Sequence, residues 1–461
     1  MDHHHHFLLV SLSFQSHINP TLRLATKLTR AGAQVTFATT VSGLNNLKTR
    51  PSLPGLSYDS FSDGNATLSK PDYFQQIELN GSASLKSLIL TKSKQGQKVD
   101  FIIYGMCLPW VAEVARDLHV PSAFFFIQSA ATFSVVYHFF RSDGLGVVNY
   151  EIDPTTTGGL EIPGLPLLKN SELPQFLRPS ETSFPVFRDH IETLEKHPNP
   201  CMLINTFDGL ESESIESIPD HINVFSVGPL FSGETEEPFI CDIFHDSDRE
   251  TYLRWLDSKP EKSVVYVSFG SILELGKKQK EEILEGLIES GRPFLWAIRS
   301  HGEDDEARAN LYRAKIHHCD EAENGFTAAE GGGGGGLMVR WCSQVEVLNH
   351  SAIGCFVSHC GWNSMLESMV GGVAVVGCPQ FSEQKMNMKM VEEVWGNGVK
   401  MVADGEGVVG REEVKRCLEV AMGDGEIKRN CERLKTMAME AVVDGGPSRT
   451  NLKRLIEKLK A

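Results

Sequence analysis

Short apolar runs alternate with amphipathic stretches along most of the chain. Phe7–Leu12 is an apolar strand signal, followed by a polar loop, Ser13–Asn19, and then by a stretch from Pro20 to Ala31. There Leu22, Leu24, Ala25 and Leu28 recur at helical spacing. Asn19 suits a helix N-cap, Pro20 the first helical turn and Gly32 the stop. Gln34–Thr40 reads as the next strand. A strand–helix–strand order is a βαβ unit and implies a parallel sheet. The series continues with a strand at Phe101–Tyr104, a helix near Trp110–Leu118 and a strand at Ser122–Ile127.

A second series of the same kind starts after Ser226-Val227-Gly228-Pro229. Strands are expected at Val264–Phe269, Phe294–Ile298, Ile353–Val357 and Val373–Cys378, and helices at Lys277–Ser290 and Ser448–Lys460. Between the two series, Phe231–Asp248 is rich in Gly, Glu, Pro and Asp without periodicity, which reads as a linker. The fold class that follows is α/β, with two Rossmann-like domains facing each other across a cleft. The expected boundaries are 1–235 for the first domain, 236–250 for the linker and 251–440 for the second domain. The closing helix, 441–461, is expected to pack back on the first domain. His301–Gly336 looks like a polar insertion ending in six consecutive glycines, Gly331–Gly336. It lacks the Lys and Ser/Thr of a phosphate-binding loop, so it reads as a flexible loop.

Composition narrows the partners. The chain has 461 residues with 44 Lys+Arg against 60 Asp+Glu, a formal charge of 44 − 60 = −16. That balance disfavours nucleic acid and anionic membrane, both of which reward basic patches. Ten Cys without a C-x-x-C pair read as reduced thiols, with no zinc-binding spacing, in a cytoplasmic protein. The most apolar region, Val120 to Phe140, is broken by Gln128, Ser129, Ser134 and His138, so no membrane span is expected. His3–His6 reads as a solvated tail or a tag remnant.

The most informative stretch runs 44 residues from Trp341 to Gln384, WCSQVEVLNHSAIGCFVSHCGWNSMLESMVGGVAVVGCPQFSEQ. In it a strand stops at Ser358-His359-Cys360-Gly361-Trp362-Asn363-Ser364 and enters a helix. Gly361 permits a tight turn, and Asn363 or Ser364 can cap the helix. The unpaired amides of such a helix start suit an anion, and His359 stands beside them. In open α/β sheets ligands sit where strands end and helices begin, so the location fits as well.

This segment resembles the signature box of the plant UDP-dependent glycosyltransferases, glycosyltransferase family 1, whose members have two Rossmann-like domains (the GT-B fold). The match covers the whole box, including HCGWNS and the closing acidic residue plus Gln. Further resemblances are Trp255-Leu256-Asp257, Val267-Ser268-Phe269-Gly270-Ser271 and an N-terminal His-x-x-Pro loop. The resemblance implies roles residue by residue. Trp341 stacks on uracil, and the backbone of Cys342, where relatives more often have Ala, pairs its edge. Gln344 and Glu367 hold the ribose hydroxyls. His359, Asn363, Ser364 and Ser271 hold the diphosphate. Trp362, Glu383 and Gln384 contact the sugar, and the final Gln goes with glucose. Singly, each of these side chains also suits a packing or surface role; their ordered coincidence is what points to a donor site. The resemblance makes the first domain acceptor-binding and the second UDP-sugar-binding.

The implied base is His17, in Gln15-Ser16-His17-Ile18-Asn19-Pro20, and the implied reaction is a single inverting displacement by an acceptor oxygen. No metal or other cofactor is required, because helix amides and His359 stabilise the leaving UDP. The partners are a UDP-sugar and a small acceptor, and the protein is expected to be a monomer.

Two departures matter. Many relatives place an Asp where Ile103-Tyr104-Gly105-Met106-Cys107-Leu108-Pro109-Trp110 has Gly105, so the partner position of the catalytic His is vacated. Neither Met106 nor Cys107 replaces a carboxylate that stabilises imidazolium. In the loop before His17, Ser13 and Phe14 replace Pro-Ala, and Ser16 replaces Gly. Phe14 adds bulk, and with Gln128 it is a candidate for the acceptor pocket. The Leu-Pro-Trp-x-x-x-Val-Ala-Arg run without Asp, and Ile127-Gln128, look like the subgroup with anthocyanin 5-O-glucosyltransferases and enzymes forming glucose esters of crocetin and hormones. A carboxylate is already ionised near neutral pH, so it suffers least from the missing Asp. The sequence thus points to β-glucosylation, from UDP-glucose, of a carboxylic acid or phenolic hydroxyl on a flavonoid, phenolic acid, apocarotenoid or hormone. The alternative is a weakly active or non-catalytic UDP-sugar-binding protein. A nicotinamide oxidoreductase is disfavoured because no G-x-G-x-x-G follows the first strand.

Overall fold

Buried on both faces, a parallel strand reads as a continuous apolar run, and the first such run forms β1 (His6–Val10). A computed structural model describes residues 5–66, 70–141, 159–231, 248–270, 275–298, 335–423 and 425–458. Its chain forms two compact units. The first comprises Met1–Ile243 with Phe381–Met386 and Met437–Ala461, and the second Phe244–Gln380 with Asn387–Thr436.

In the first unit β1 is joined by β2 (Gln34–Thr40), β3 (Leu56–Phe61), β4 (Phe101–Gly105) and β5 (Ser122–Phe126). A short antiparallel pair follows, β6 (Gly159–Leu160) with β7 (Leu168–Lys169), and then β8 (Cys201–Ile204) and β9 (Asn223–Ser226). The main sheet has the order β3-β2-β1-β4-β5-β8-β9, and every pairing in it is parallel. The closing helix, Pro447–Lys458, belongs to this unit: Ser448 Oγ donates to the Gly228 carbonyl, and Asn451 Nδ2 donates to the carbonyl of Ser226 at 3.1 Å.

The second unit repeats the plan with β10 (Val264–Ser268), β11 (Phe294–Ala297), β12 (Gly336–Val339), β13 (Ile353–Ser358), β14 (Ala374–Gly377) and β15 (Gly398–Lys400). The order is β12-β11-β10-β13-β14-β15, again all parallel. Alternate residues of β10 feed two separate cores. Val265 and Val267 pack with Ile283, Leu284 and Leu287 of the helix Lys277–Glu289, while Val264 and Tyr266 pack with Tyr252, Leu348 and Phe356. Both orders reverse direction beside the first strand of the unit, between β1 and β4 and between β10 and β13. Such switch points open a crevice at the carboxyl ends of the strands.

Two local expectations are corrected. The helix expected from Pro20 begins at Gln15 and runs to Arg30, because the Phe14 carbonyl already accepts the N–H groups of His17 (2.9 Å) and Ile18 (2.8 Å). Asn19 is therefore inside the helix, accepting from Gln15 Nε2 at 3.1 Å rather than capping it. His6 is no solvated tail. It pairs in register with Gln34, lies buried, and its Nε2 meets Thr36 Oγ1 at 2.8 Å. His3 and His4, most of the expected linker, and Gly331–Gly334 lie outside the described residues.

One core residue has a measurable cost. His190, on the helix Phe184–Lys196, is 2% exposed and stacks on Phe124 with ring centroids 4.2 Å apart. Neither ring nitrogen has a hydrogen-bond partner among the described residues. Burial pushes the imidazole down to about 3. A folded pKa below the unfolded value means the unfolded chain binds the extra proton, so the neutral side chain's stability is complete above about 6.5 and is lost as pH falls towards 3. From pH 7 to pH 5 this single group removes about 2 kcal/mol. His190→Phe is expected to raise Tm at pH 7 and to flatten its decline between pH 7 and pH 5. A Tm at or below that of the wild type at both pH values contradicts this account.

Candidate functional site

At the switch point of the second sheet, Ser268 and Ser358 are register partners at the ends of β10 and β13. Beyond β13, Cys360 adopts φ +67° and Gly361 becomes the N-cap of the helix Trp362–Gly371. Among the described residues no side chain caps that start. This corrects the expectation for Asn363 and Ser364, which fall inside the first helical turn because the chain is helical from Trp362 onwards. A first turn without a side-chain cap suits an oxyanion.

His359 precedes it between two glycines. A Cβ on Gly270 would fall 2.8 Å from the imidazole Nε2, and one on Gly361 2.6 Å from it. The two glycines thus clear the space the ring occupies, and at Gly270 a φ of +74° demands glycine as well. Burial holds His359 down at about 4, against a hydrogen bond that the ring donates to the Ser268 backbone carbonyl, which acts the other way. The ring is therefore neutral at physiological pH and carries a single N–H, which a ligand must share with the Ser268 carbonyl. Ser271, expected at the same place, lies outside the described residues.

Next along the same sheet edge sits the loop Trp341–Gln344. Trp341 is half-buried, and the Cys342 side chain is buried towards Tyr266, whose hydroxyl is 3.3 Å from its Sγ. What Cys342 presents outward is backbone. Gln344 Nε2 donates to Ser364 Oγ at 2.7 Å and to Glu367 Oε2 at 2.8 Å, which gathers three of the expected residues into one cluster. Trp362 is different. Its side chain is 1% exposed and packs on Trp395 at 5.9 Å, so any contact it makes with a ligand runs through its backbone. Glu383 and Gln384 lie on the segment Phe381–Met386, which groups with the first unit. Gln384 Oε1 accepts from Phe381 N at 3.2 Å, and Ser382 exchanges two hydrogen bonds with Gln175, each of 3.0 Å.

At the switch point of the first sheet, His17 lies in the opening turns of the helix that follows β1. Its ring meets the edge of Phe14 at 5.6 Å, and Phe14 in turn meets Tyr73 at 6.2 Å. His17 keeps part of its surface open, yet lies deep enough that burial pushes it down to about 4. Its Nδ1 is buried and has no hydrogen-bond partner among the described residues. Gly105 closes β4, directly beside β1, where Val10 pairs with Tyr104. A Cβ there would meet only the Val10 carbonyl, at an ordinary 3.5 Å. Cys107 follows with φ +66°, and burial raises its thiol to about 12, so it stays neutral and supplies no carboxylate-like charge. Gln128 is half-buried just beyond β5, with its Oε1 unpartnered among the described residues.

Sequence reasoning missed Tyr73, Tyr252 and Tyr266. Tyr266 lies in an apolar strand and Tyr73 and Tyr252 near the starts of polar-faced helices, where only the fold tells a hydroxyl with a task from one at rest. Among the described residues no group of three or more His, Cys, Asp or Glu is arranged to hold a metal ion, and no helix is long and apolar enough to cross a membrane.

Comparison with known proteins adds to this geometry. Residues 239–444 match the family described as UDP-glucoronosyl and UDP-glucosyl transferase. The chain is 40% identical to a chloroplastic crocetin glucosyltransferase of Gardenia jasminoides, over 98% of this chain and 97% of that protein. It is 39% identical to a phloretin 4'-O-glucosyltransferase of Malus domestica, over 99% of this chain and 98% of that one. Its fold is similar to that of Os79 from O. sativa, crystallised in complex with UDP, with a TM-score of 0.86 and 29% identity over 98% of this chain and 100% of that one.

Proposed function

The chain belongs to the plant family 1 UDP-dependent glycosyltransferases, and from that premise we propose that it transfers glucose from UDP-glucose, with inversion, to a carboxylic acid or phenolic hydroxyl of a plant small molecule. The observation that carries the acceptor class is the state of His17. An imidazole held down at about 4, with an Nδ1 unpartnered among the described residues and glycine at position 105, is a weak base, and weak bases suit acceptors that give up their proton readily.

In the reaction, His17 takes the proton of a phenolic acceptor. The acceptor oxygen forms a bond to the anomeric carbon, and the bond from that carbon to the β-phosphate oxygen breaks. The α-configured donor gives a β-glucoside or a β-glucose ester. The box from Trp341 to Gln384 contains no Lys or Arg, so the charge on the departing UDP falls on neutral donors. These are the first-turn amides of the helix Trp362–Gly371, His359 and the hydroxyl of Ser364. In this reading Trp341 stacks on uracil, Glu367 with Gln344 takes the ribose, Ser271 and Asn363 assist at the diphosphate, and Gln384 with Glu383 takes the sugar. No metal is assigned a part, and the enzyme works in the cytoplasm as a monomer.

The test is turnover of UDP-glucose with a panel of carboxylic acids and phenols that includes crocetin and phloretin, with products weighed by mass and esters identified by their cleavage in mild base. Glucosylated product from either class supports the reading. UDP binding with no product from any acceptor establishes the alternative, a non-catalytic UDP-sugar-binding protein, which the transferase names of the relatives do not favour.

A further inference from the structure

Two buried phenols stand behind the loop Trp341–Gln344. Tyr266, in β10, is 1% exposed and its ring stacks on Phe356 of β13, centroids 5.0 Å apart and planes 18° from parallel. Its hydroxyl lies 3.3 Å from Cys342 Sγ and 3.4 Å from Gln344 Oε1. Each group has one proton to give, so the arrangement that satisfies both is a relay. The Cys342 thiol donates to the phenol oxygen, and the phenol donates to the Gln344 carbonyl. Burial raises Tyr266 well above its ordinary value, which keeps that proton in place. Gln344 is then engaged at both ends of its amide, because Nε2 donates to Ser364 Oγ and Glu367 Oε2.

Tyr252 serves the other side of the loop. Its hydroxyl accepts from Ser343 N at 3.2 Å and donates to Glu346 Oε2 at 3.3 Å, and Arg249 grips the Glu346 carboxylate with two nitrogens.

We propose that Tyr266 is a positioning residue that sets selectivity for a ribonucleotide: it fixes the Gln344 amide, and through it the Glu367 carboxylate, in the orientation that meets a vicinal diol. The inference rests on the reading that this box binds UDP. Without the phenol proton, Gln344 Oε1 loses its partner in β10, and the half-buried amide recovers a partner by turning towards water. That turn takes Nε2 away from Glu367 and removes the hydrogen bond that aims its carboxylate at the diol. Tyr252 meets the backbone at Ser343, beside the segment that faces the base, and the carboxylate of Glu346, so its hydroxyl acts on the base and not on the sugar hydroxyls. A site built to hydrogen-bond a hydroxyl discriminates strongly against the analogue lacking it, which makes the diol contact measurable.

The experiment is calorimetric titration of the full chain with UDP and with 2′-deoxy-UDP, which needs no acceptor. Tyr266→Phe is expected to weaken UDP by about tenfold and 2′-deoxy-UDP by less than about twofold, so that the preference for the ribonucleotide collapses. Tyr252→Phe is expected to weaken both nucleotides by the same factor. Equal losses in Tyr266→Phe, an unchanged preference, or a wild type with no preference each overturn the inference. If Tyr266→Phe does not fold, Tyr266→Met removes the same hydroxyl and must show the same collapse, while Gln344→Ala, which removes the ribose contact itself, marks its full extent. A wild-type protein that binds no UDP removes the reading of the box itself, an outcome distinct from a UDP-binding protein whose preference ignores Tyr266.

Discussion

Replacing His17 by Ala is expected to lower kcat/KM for a phenolic acceptor by about 10²–10⁴-fold, the usual worth of a positioned general base. For a carboxylic acid acceptor the loss is expected to stay below about tenfold. The difference comes from where the proton is before reaction. A phenol with a pKa near 10 must be deprotonated as its oxygen attacks, whereas a carboxylic acid with a pKa near 4 arrives ionised at neutral pH. His17 has no second task that would equalise the two. Its Nδ1 has no hydrogen-bond partner among the described residues, so no carboxylate behind it is disturbed by the substitution. Kinetics of the variant with one acceptor of each class decide the matter. Equal losses would show that His17 orients acceptors rather than taking their proton.

Gly105→Asp is expected to act in the opposite direction, raising kcat/KM for phenolic and weaker hydroxyl acceptors by on the order of tenfold, with little change for carboxylic acids. The backbone tolerates the substitution. Gly105 lies at the carboxyl end of β4 with no left-handed φ, and its Cβ would meet the Val10 carbonyl at 3.5 Å. An anion near His17 favours imidazolium, lifting a pKa that burial alone has pushed down to about 4. The base works in its neutral form. In the wild type, the acid limb of phenol glucosylation therefore sits near pH 4 and the rate is level above about pH 5. In the variant the limb moves up towards 6.5, while the plateau above it is higher. A pH–rate profile from pH 4 to pH 8 separates the outcomes. An unmoved limb means that the new carboxylate does not reach the imidazole.

Much of this was legible in the chain itself, for identifiable reasons. The apolar runs gave β2 (Gln34–Thr40) at its observed bounds and β4, β5, β10, β11, β13 and β14 to within a residue at each end, because strands buried on both faces leave a continuous apolar trace. The strands β3, β8, β9, β12 and β15 did not stand out, since they are short or, at β3, largely polar. The start of the first helix was misplaced because Asn19-Pro20 looks like a cap and a first turn, whereas the carbonyl of Phe14 closes a helical turn five residues earlier. His6 looked like a tail because its neighbours are histidines, and only the register with Gln34 shows that it is part of the sheet.

The chemistry divides along the same line. Residue identity and order determined the family, the two parallel α/β units and the set of side chains around the donor box, since those depend on hydrophobic period and on a motif contiguous in sequence. Tertiary structure decided what each side chain is free to do. It buried the Trp362 indole against Trp395 and left its backbone as the contact, set His359 between Gly270 and Gly361, and brought Tyr266 from another strand to the amide of Gln344. It also left His17 without a partner at Nδ1 among the described residues, beside a strand whose last residue is glycine. Orientation, burial and proton affinity depend on atoms far apart in sequence, and those atoms meet only when the parallel sheets form.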